Sequence, residues 1–318
     1  MSQINFPLVT GAAATNPLSW IVEPADAFGV KITASPSYTA VAVAENVSAR
    51  IENVMLDIFQ AGSHFKYSQQ TGGQNFPFTI AVQPQDINFI KIGTNAPVAA
   101  SAGTTAGLSA SSYQFVIKYK QSLGTAALVD TYLFLLGCRP RTTNITVSPQ
   151  QKVSVTMEWV ARDIDISTAT NGGTTSPTIP TLASITGPVI VDSDAGSLPL
   201  TIDSKTYPTD GFTLNCDTGL IAKPYNGSGL IDASYPGTFK FTGNVNIPVG
   251  AHGVDIETLA LASQTGVTAS YLFKTGVMKA NMTGFTLGSG ERTFPGNADS
   301  FLENPFSFEA SGLTLATS

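Results

Sequence analysis

The feature that most constrains this chain is a two-residue alternation of apolar and polar side chains, cut into short runs by Gly, Pro, Asn and Ser. Tyr113, Phe115, Ile117 and Tyr119 fall on one side of a run, with polar or smaller residues between them. Val153, Val155, Met157, Trp159 and Ala161 repeat the pattern, and Ser154, Thr156 and Glu158 face the other way. Phe239 and Phe241, then Val245 and Ile247, continue it. A period of two is that of a pleated strand with one buried face. The chain is therefore expected to be all-β, a sandwich or barrel-like fold with few short helices. The best helical stretch covers 255–263, with Asp255 as N-cap and Gly266 past its end. Its leucines, Leu259 and Leu261, would alternate equally well in a strand.

The alternation also repeats on a larger scale. Ser167-Thr-Ala-Thr-Asn-Gly-Gly-Thr-Thr-Ser-Pro opens a connector over 167–197, which separates a first β unit, 1–166, from a second, 198–318. A second soft stretch, 94–112, reads as a loop between strands. Tyr132-Leu-Phe-Leu-Leu-Gly137 and Tyr271-Leu-Phe-Lys-Thr-Gly276 share Y-L-F-x-x-G. Asn144-Ile-Thr-Val147 follows the first, and Gly284-Phe-Thr-Leu287 follows the second. Each half then ends on a strand whose apolar face slips by one residue. Trp159 and Ala161 give way to Ile164 and Ile166; Phe306, Phe308 and Ala310 give way to Leu313 and Leu315. A one-residue slip is what a β-bulge produces, so a duplicated β unit is expected.

A search for chemistry assigns no catalytic, cofactor-binding or metal-ligating residue, and no cofactor. His64 and His252 stand alone in Gly/Ser settings, and no nucleophile elbow, phosphate loop or Cys–His pair accompanies them. Asp192-Ser-Asp-Ala-Gly196 opens like a calcium loop but lacks the third carboxylate and the closing Glu, so it reads as a turn. Asp163 and Asp165 alternate on one strand face without a second acidic pair, which reads as a solvated surface. Cys138 and Cys216 make neither a disulfide framework nor a zinc site, and read as small apolar strand residues. The sequons at Asn46, Asn144, Asn226 and Asn281 are expected by chance in a chain rich in Asn, Ser and Thr. The chain is not expected to be an enzyme.

With no site in view, function falls to the surfaces. Charged residues make up only 12% of the 318 residues, about half the usual share of ~25%, and Thr, Ser, Asn, Ala and Gly stand in their place. A charge-poor surface suits one that neighbouring copies cover. Net charge is −6, which is a poor footprint for binding nucleic acid but lets a polyanion pass. Residues 1–166 balance ten acidic against ten basic side chains, while 167–318 carry twelve against six. Met1-Ser-Gln-Ile-Asn-Phe-Pro7 is not a leader, and no apolar run is long enough to span a membrane, so synthesis in the cytoplasm is expected. Exposed aromatics on a concave face would mark a carbohydrate-binding adhesin. Trp20 and Trp159 are the only tryptophans, and Trp159 lies on the apolar face of its strand.

Three stretches together resemble the tail tube proteins of tailed bacterial and archaeal viruses. They are 137–163, with Trp159-Val-Ala-Arg-Asp163 at its end; Glu23-Pro-Ala-Asp-Ala-Phe-Gly-Val30; and 211–214 through 243–248. The 167–197 connector and the Ala/Ser/Gly loop near 100 depart from the family pattern. The resemblance implies a β-sandwich or barrel-like subunit whose hairpins join those of neighbours into a ring, usually a homohexameric one. Such rings stack into the hollow tail tube of the virion, contact other tail proteins and conduct the genome during ejection without sequence-specific binding. If the duplication is a whole tube domain twice over, a trimer would give the same pseudo-sixfold ring. The strands at 51–59, 76–82, 212–222 and 238–247 are the expected barrel wall, and a loop at 61–75 the expected contact between rings. A capsid decoration, baseplate or S-layer-like protein is the alternative.

Overall fold

The structure, a computed structural model, describes residues 3–5, 18–24, 28–32, 38–41, 43–50, 52–59, 66–94, 112–122, 128–168, 188–224, 231–235, 237–248, 267–290 and 303–317. Strands dominate them. The first half contains β1 (Gln3–Asn5), β2 (Leu18–Val22), β3 (Thr39–Ala40), β4 (Val43–Arg50), β5 (Glu52–Phe59), β6 (Lys66–Gln83), β7 (Tyr113–Ser122), β8 (Leu128–Val147), β9 (Ser154–Ala161) and β10 (Asp163–Thr168). The second contains β11 (Leu200–Ile202), β12 (Lys205–Tyr207), β13 (Phe212–Asp217), β14 (Ile221–Pro224), β15 (Ile231–Tyr235), β16 (Lys240–Pro248), β17 (Val267–Lys274), β18 (Met278–Gly290), β19 (Glu303–Ala310) and β20 (Gly312–Ala316). The all-β expectation is met. A helix that periodicity did not reveal, α1 (Asn88–Thr94), is too short to show a period, and Asp86 caps it by accepting from Asn88 N at 2.9 Å. The helix expected over 255–263 lies outside the described residues, as does nearly all of the 94–112 loop.

One long antiparallel sheet crosses both halves in the order β1-β4-β6-β9-β8-β13-β16-β19-β18. Two smaller sheets cover one of its faces: β3-β2-β7-β8-β10 over the first half and β12-β11-β17-β18-β20 over the second. The second half thus repeats the pairing order of the first, strand for strand. The halves meet at a direct ladder in which residues 142–147 of β8 pair with 212–217 of β13.

Both β8 and β18 belong to two sheets, and a glycine marks each change of sheet. Gly137 sits at φ 61° and Gly284 at φ 58°, left-handed values at which only glycine escapes a steric penalty. A Cβ would also strike Arg162 at the first and Ser311 at the second. The strands that cross back change sheets opposite these bends. Arg162 N donates to Leu136 O at 2.8 Å, and Ser311 N to Thr283 O at 2.9 Å. The phase slips expected as bulges are therefore sheet changes. The chain leaves β9 for β10, and β19 for β20, so the apolar face must swap sides to keep facing the core between the layers.

The alternation places one apolar set inside each sandwich. Trp159 is buried against Phe115, Tyr113 and Phe78, with centroids 4.9, 5.8 and 6.2 Å away. Phe212 stacks on Tyr271 at 3.9 Å and on Phe308 at 5.6 Å. One core cluster runs through both halves, and each such ring contributes about 1.5–3 kcal/mol by leaving water. Among the described residues the long sheet is not closed: β18 at one end is paired with neither β1 nor β4 at the other. The barrel expectation is thereby corrected to two sandwiches side by side. Each apolar face is already covered by a smaller sheet, so no apolar demand remains to curl the long one shut within the chain.

Two further expectations change. The shared Y-L-F motif does not mark matching places: Tyr132 lies on β8, whereas Tyr271 lies on β17, whose counterpart is β7. The 61–75 loop is strand from Lys66 onward, because β5 and the first part of β6 form a hairpin extending beyond the long sheet. Of the stretches expected as wall, 52–59 accordingly lie outside the long sheet, while 76–82 are part of it. In the second half β14 and β15 make the corresponding hairpin, which places 221–222 outside the long sheet.

Candidate assembly interface

The uncovered face of the long sheet is polar because alternation sends every second side chain there. At the joint between halves it presents Thr142, Asn144 and Thr146 from β8 beside Thr213, Asn215 and Asp217 from β13. Thr156 and Glu158 continue it on β9, Thr242 and Asn244 on β16, and Ser307 and Glu309 on β19. The second half of this face is concave, an open groove lined by Asn144, Thr213, Asn215, Thr242 and Asn244. Toward the hairpin end Asp217 stands opposite Lys240 and Glu158 opposite Thr142, while Glu309 stands opposite Thr242 within the groove. Besides Glu309, the polar side chains of the groove are amides and hydroxyls, a surface that hydrates well and offers a polyanion no cation.

The ends of the long sheet are the second feature. No described strand pairs with the outer edge of β18 over 286–290, and only the three residues of β1 lie on the outer edge of β4, opposite Ser48, Ala49 and Arg50. Open edges of this kind are templates for strand pairing.

The stretches that carry the family resemblance come together at the first bend. Glu23 is buried, and its carboxylate accepts from Gly137 N at 2.7 Å, Gly29 N at 3.0 Å and Ser112 Oγ at 2.6 Å. The Phe28 ring lies between the guanidiniums of Arg139, at 5.2 Å, and Arg162, at 5.3 Å, and Arg162 donates to Phe28 O. Lys31 bridges to Asp165 at 2.6 Å. The Glu23 carboxylate and the Arg162 guanidinium are held by backbone and side-chain partners from three segments, an arrangement that holds the bend. Sequence reasoning marked both stretches without seeing that they touch, since 114 residues separate Glu23 from Gly137.

The remaining sequence candidates fall into structural roles. Asp192–Ala195 is a 3-10 turn. Asp194 Oδ2 accepts from Val191 N and Lys274 Nζ, both at 3.1 Å, and Asp192 Oδ2 accepts from Gln150 N at 3.2 Å. The Val191 amide, with Lys274 adding to it, holds the Asp194 carboxyl below its usual range against a smaller opposing effect of burial. Cys138 and Cys216 are free and buried on strands, as expected, and burial raises both thiols. Trp159 is core, also as expected. His64 and His252 lie outside the described residues. Among the described residues no group of His, Cys, Asp or Glu could hold a metal ion, and no helix is long and apolar enough to cross a membrane.

Compared with known families, the chain matches the sequence model of the phage tail tube protein from residue 7 to residue 310. No curated protein matches it.

Proposed function

The chain belongs to the phage tail tube protein family, and on that premise we propose that it is the structural subunit of a virion tail tube. Made in the host cytoplasm, it assembles by joining the open ends of its long sheet to those of other copies. The rings so formed stack into a hollow tube, contact other tail proteins and conduct the genome during ejection. The polar face of the long sheet lines the bore, where its Thr/Asn centre lets DNA slide without binding.

The observation that carries this reading is the β8–β13 ladder, which already joins two four-stranded units edge to edge inside one chain. We read those units as two tube domains, 1–166 and 198–318, linked by 167–197. Each chain contributes eight wall strands, β4 through β18. With strands ~4.8 Å apart and tilted ~40°, three copies would make a wall roughly 50 Å across, while six would make one roughly 100 Å across. The smaller bore suits a single duplex, so three chains in a pseudo-sixfold ring replace the hexamer expected from one unit per chain. The β5–β6 hairpin, which takes the place of the loop first assigned to ring contacts, is the element that reaches a neighbouring ring.

Cryo-electron microscopy of purified protein at high concentration tests this. Hollow filaments with three chains per ring are expected. Six chains around a doubled bore would overturn the copy number, and compact monomers or flat lattices would overturn the tube in favour of a decoration or S-layer-like role.

A further inference from the structure

The two halves touch in two places. One is the β8–β13 ladder. The other is the segment 188–199, which leads into β11 and is held by both halves on the way. Its start is laid on the first half. Ile190 N donates to Pro84 O and Val153 N donates to Ile190 O, both at 2.9 Å, and the Ile190 side chain is buried. Asp192 closes this anchor: its N donates to Gln151 O at 2.9 Å, and its carboxylate accepts from Gln150 N at 3.2 Å. Two residues later the second half takes hold. Asp194 accepts from Lys274 Nζ at 3.1 Å, and Leu272 N donates to Pro199 O at 2.9 Å, both donors lying on β17.

At most ~7 Å of chain separates Asp192 from Asp194, and the 3-10 turn shortens it, with Asp194 N donating to Val191 O at 2.9 Å. The tether is taut, and it leaves the plane of the ladder. Its first anchor lies beside the ends of β6 and β9 in the long sheet, its second on β17 in the sheet that covers the long one. A ladder alone leaves the angle between neighbouring strands variable over roughly 10–35°, and the curvature of a closing sheet follows from that angle. Each chain of a three-chain ring turns through about 120°, whereas four chains would need about 90° each. The freedom of one unclamped ladder is comparable with that difference. A second contact outside the ladder's plane removes it.

We infer that 188–199 is a clamp that fixes the angle between the two halves. Asp192 pins it to the first half and Asp194 to the second, so the curvature of the wall is set before subunits meet. Its part in closure rests on the ring reading above, while the clamp itself is a property of the single subunit. Asp192 and Asp194 are thereby positioning residues, which act on the assembly through the backbone they hold.

A distance across the wall of the dilute, full-length subunit tests this. One cross-strand row runs from Asn46 on β4 to Thr286 on β18, and both side chains are exposed, while Cys138 and Cys216 are buried. Nitroxide labels on Asn46→Cys and Thr286→Cys are expected to give one narrow distance by double electron–electron resonance. Lys274→Ala, together with two glycines inserted between the exposed Gly196 and Ser197, slackens the clamp. That change is expected to broaden the distribution at least about twofold with the thermal transition retained, since the ladder regains its range of angles. The unlabelled slack protein is expected to lose rings of uniform copy number. A distribution as narrow as that of the unslackened protein would overturn the clamp and leave the ring standing. If the insertion unfolds the chain, Lys274→Ala alone is measured: broadening supports the clamp, and an unchanged width overturns it. A narrow distance in a wild-type wall that forms no rings at high concentration would overturn the ring reading and leave the clamp.

Discussion

The two halves share one pairing order and hold it by different means. In the first, the bend of β8 is filled by Glu23 and Phe28, delivered by the connection between β2 and β3, with Arg139 of β8 and Arg162 from between β9 and β10 against the Phe28 ring. In the second, β11 and β12 are joined by the two-residue turn Asp203–Ser204, at φ 47° and 68°. No loop reaches the bend of β18 from there. Ser311 closes it instead, its Oγ donating to Thr283 O at 3.0 Å. The ladders differ in the same spirit. Trp159 stands opposite Phe78, whereas its counterpart Phe308 stands opposite Gly243, whose missing side chain makes room for the ring. Strand order is set by backbone ladders and by which face is apolar, so the filling of each position can drift while volume is conserved.

Breaking the first core should have the largest effect. Trp159→Ala is expected to cost about 3–5 kcal/mol in denaturant unfolding. Trp159→Phe is expected to cost under about 1.5 kcal/mol, since the buried Nε1 has no hydrogen-bond partner to lose. Equal losses for the two variants would show that the indole nitrogen is satisfied in solution.

The bends come next. Glu23→Ala strands the amides of Gly29 and Gly137 and is expected to cost about 2–4 kcal/mol, while Ser311→Ala, at an exposed hydroxyl, is expected to cost under about 1 kcal/mol. Thermal unfolding of the two variants side by side checks this. A larger loss for Ser311→Ala would mean that the second bend is held more tightly than its contacts show.

The smallest effect is electrostatic and belongs to the second half. Asp194 has its carboxyl held low, so its contribution is present above the ordinary value of 3.8 and is lost as pH falls through the folded-state value. The group is partly exposed at the surface, and solvent screening limits the effect to under about 1 kcal/mol. Asp194→Asn should lower Tm slightly near neutral pH and leave it unchanged in strong acid; a Tm gap that persists in acid would remove the ionic explanation.

Much of this was legible in the chain. The alternation from Val153 to Ala161 identified β9 and placed Trp159 in the core. The slips after Ala161 and Ala310 marked the places where strands change sheets, though not what the slips were. The hairpin arm at 66–75 was illegible because its Gln, Gly and Ser residues carry no alternation; backbone pairing with β5 alone makes it a strand. The Y-L-F match misled because three letters recur by chance in strands that fill different places. The interface was legible only as a charge-poor surface, since nothing local says which polar positions share one face of one sheet.

By itself, the sequence determined the period of the chain, the side of its alternating strands that faces the core, and a charge-poor composition of net charge −6. The first two are local properties, each written in the side chains of a few adjacent residues. Tertiary structure decided which edges meet: β8 on β13, β1 on β4, Glu23 on Gly137 across 114 residues. Strand edges pair through N–H and C=O groups that nearly every residue carries alike, so the choice of partner leaves little trace in the letters and emerges only when the layers have packed.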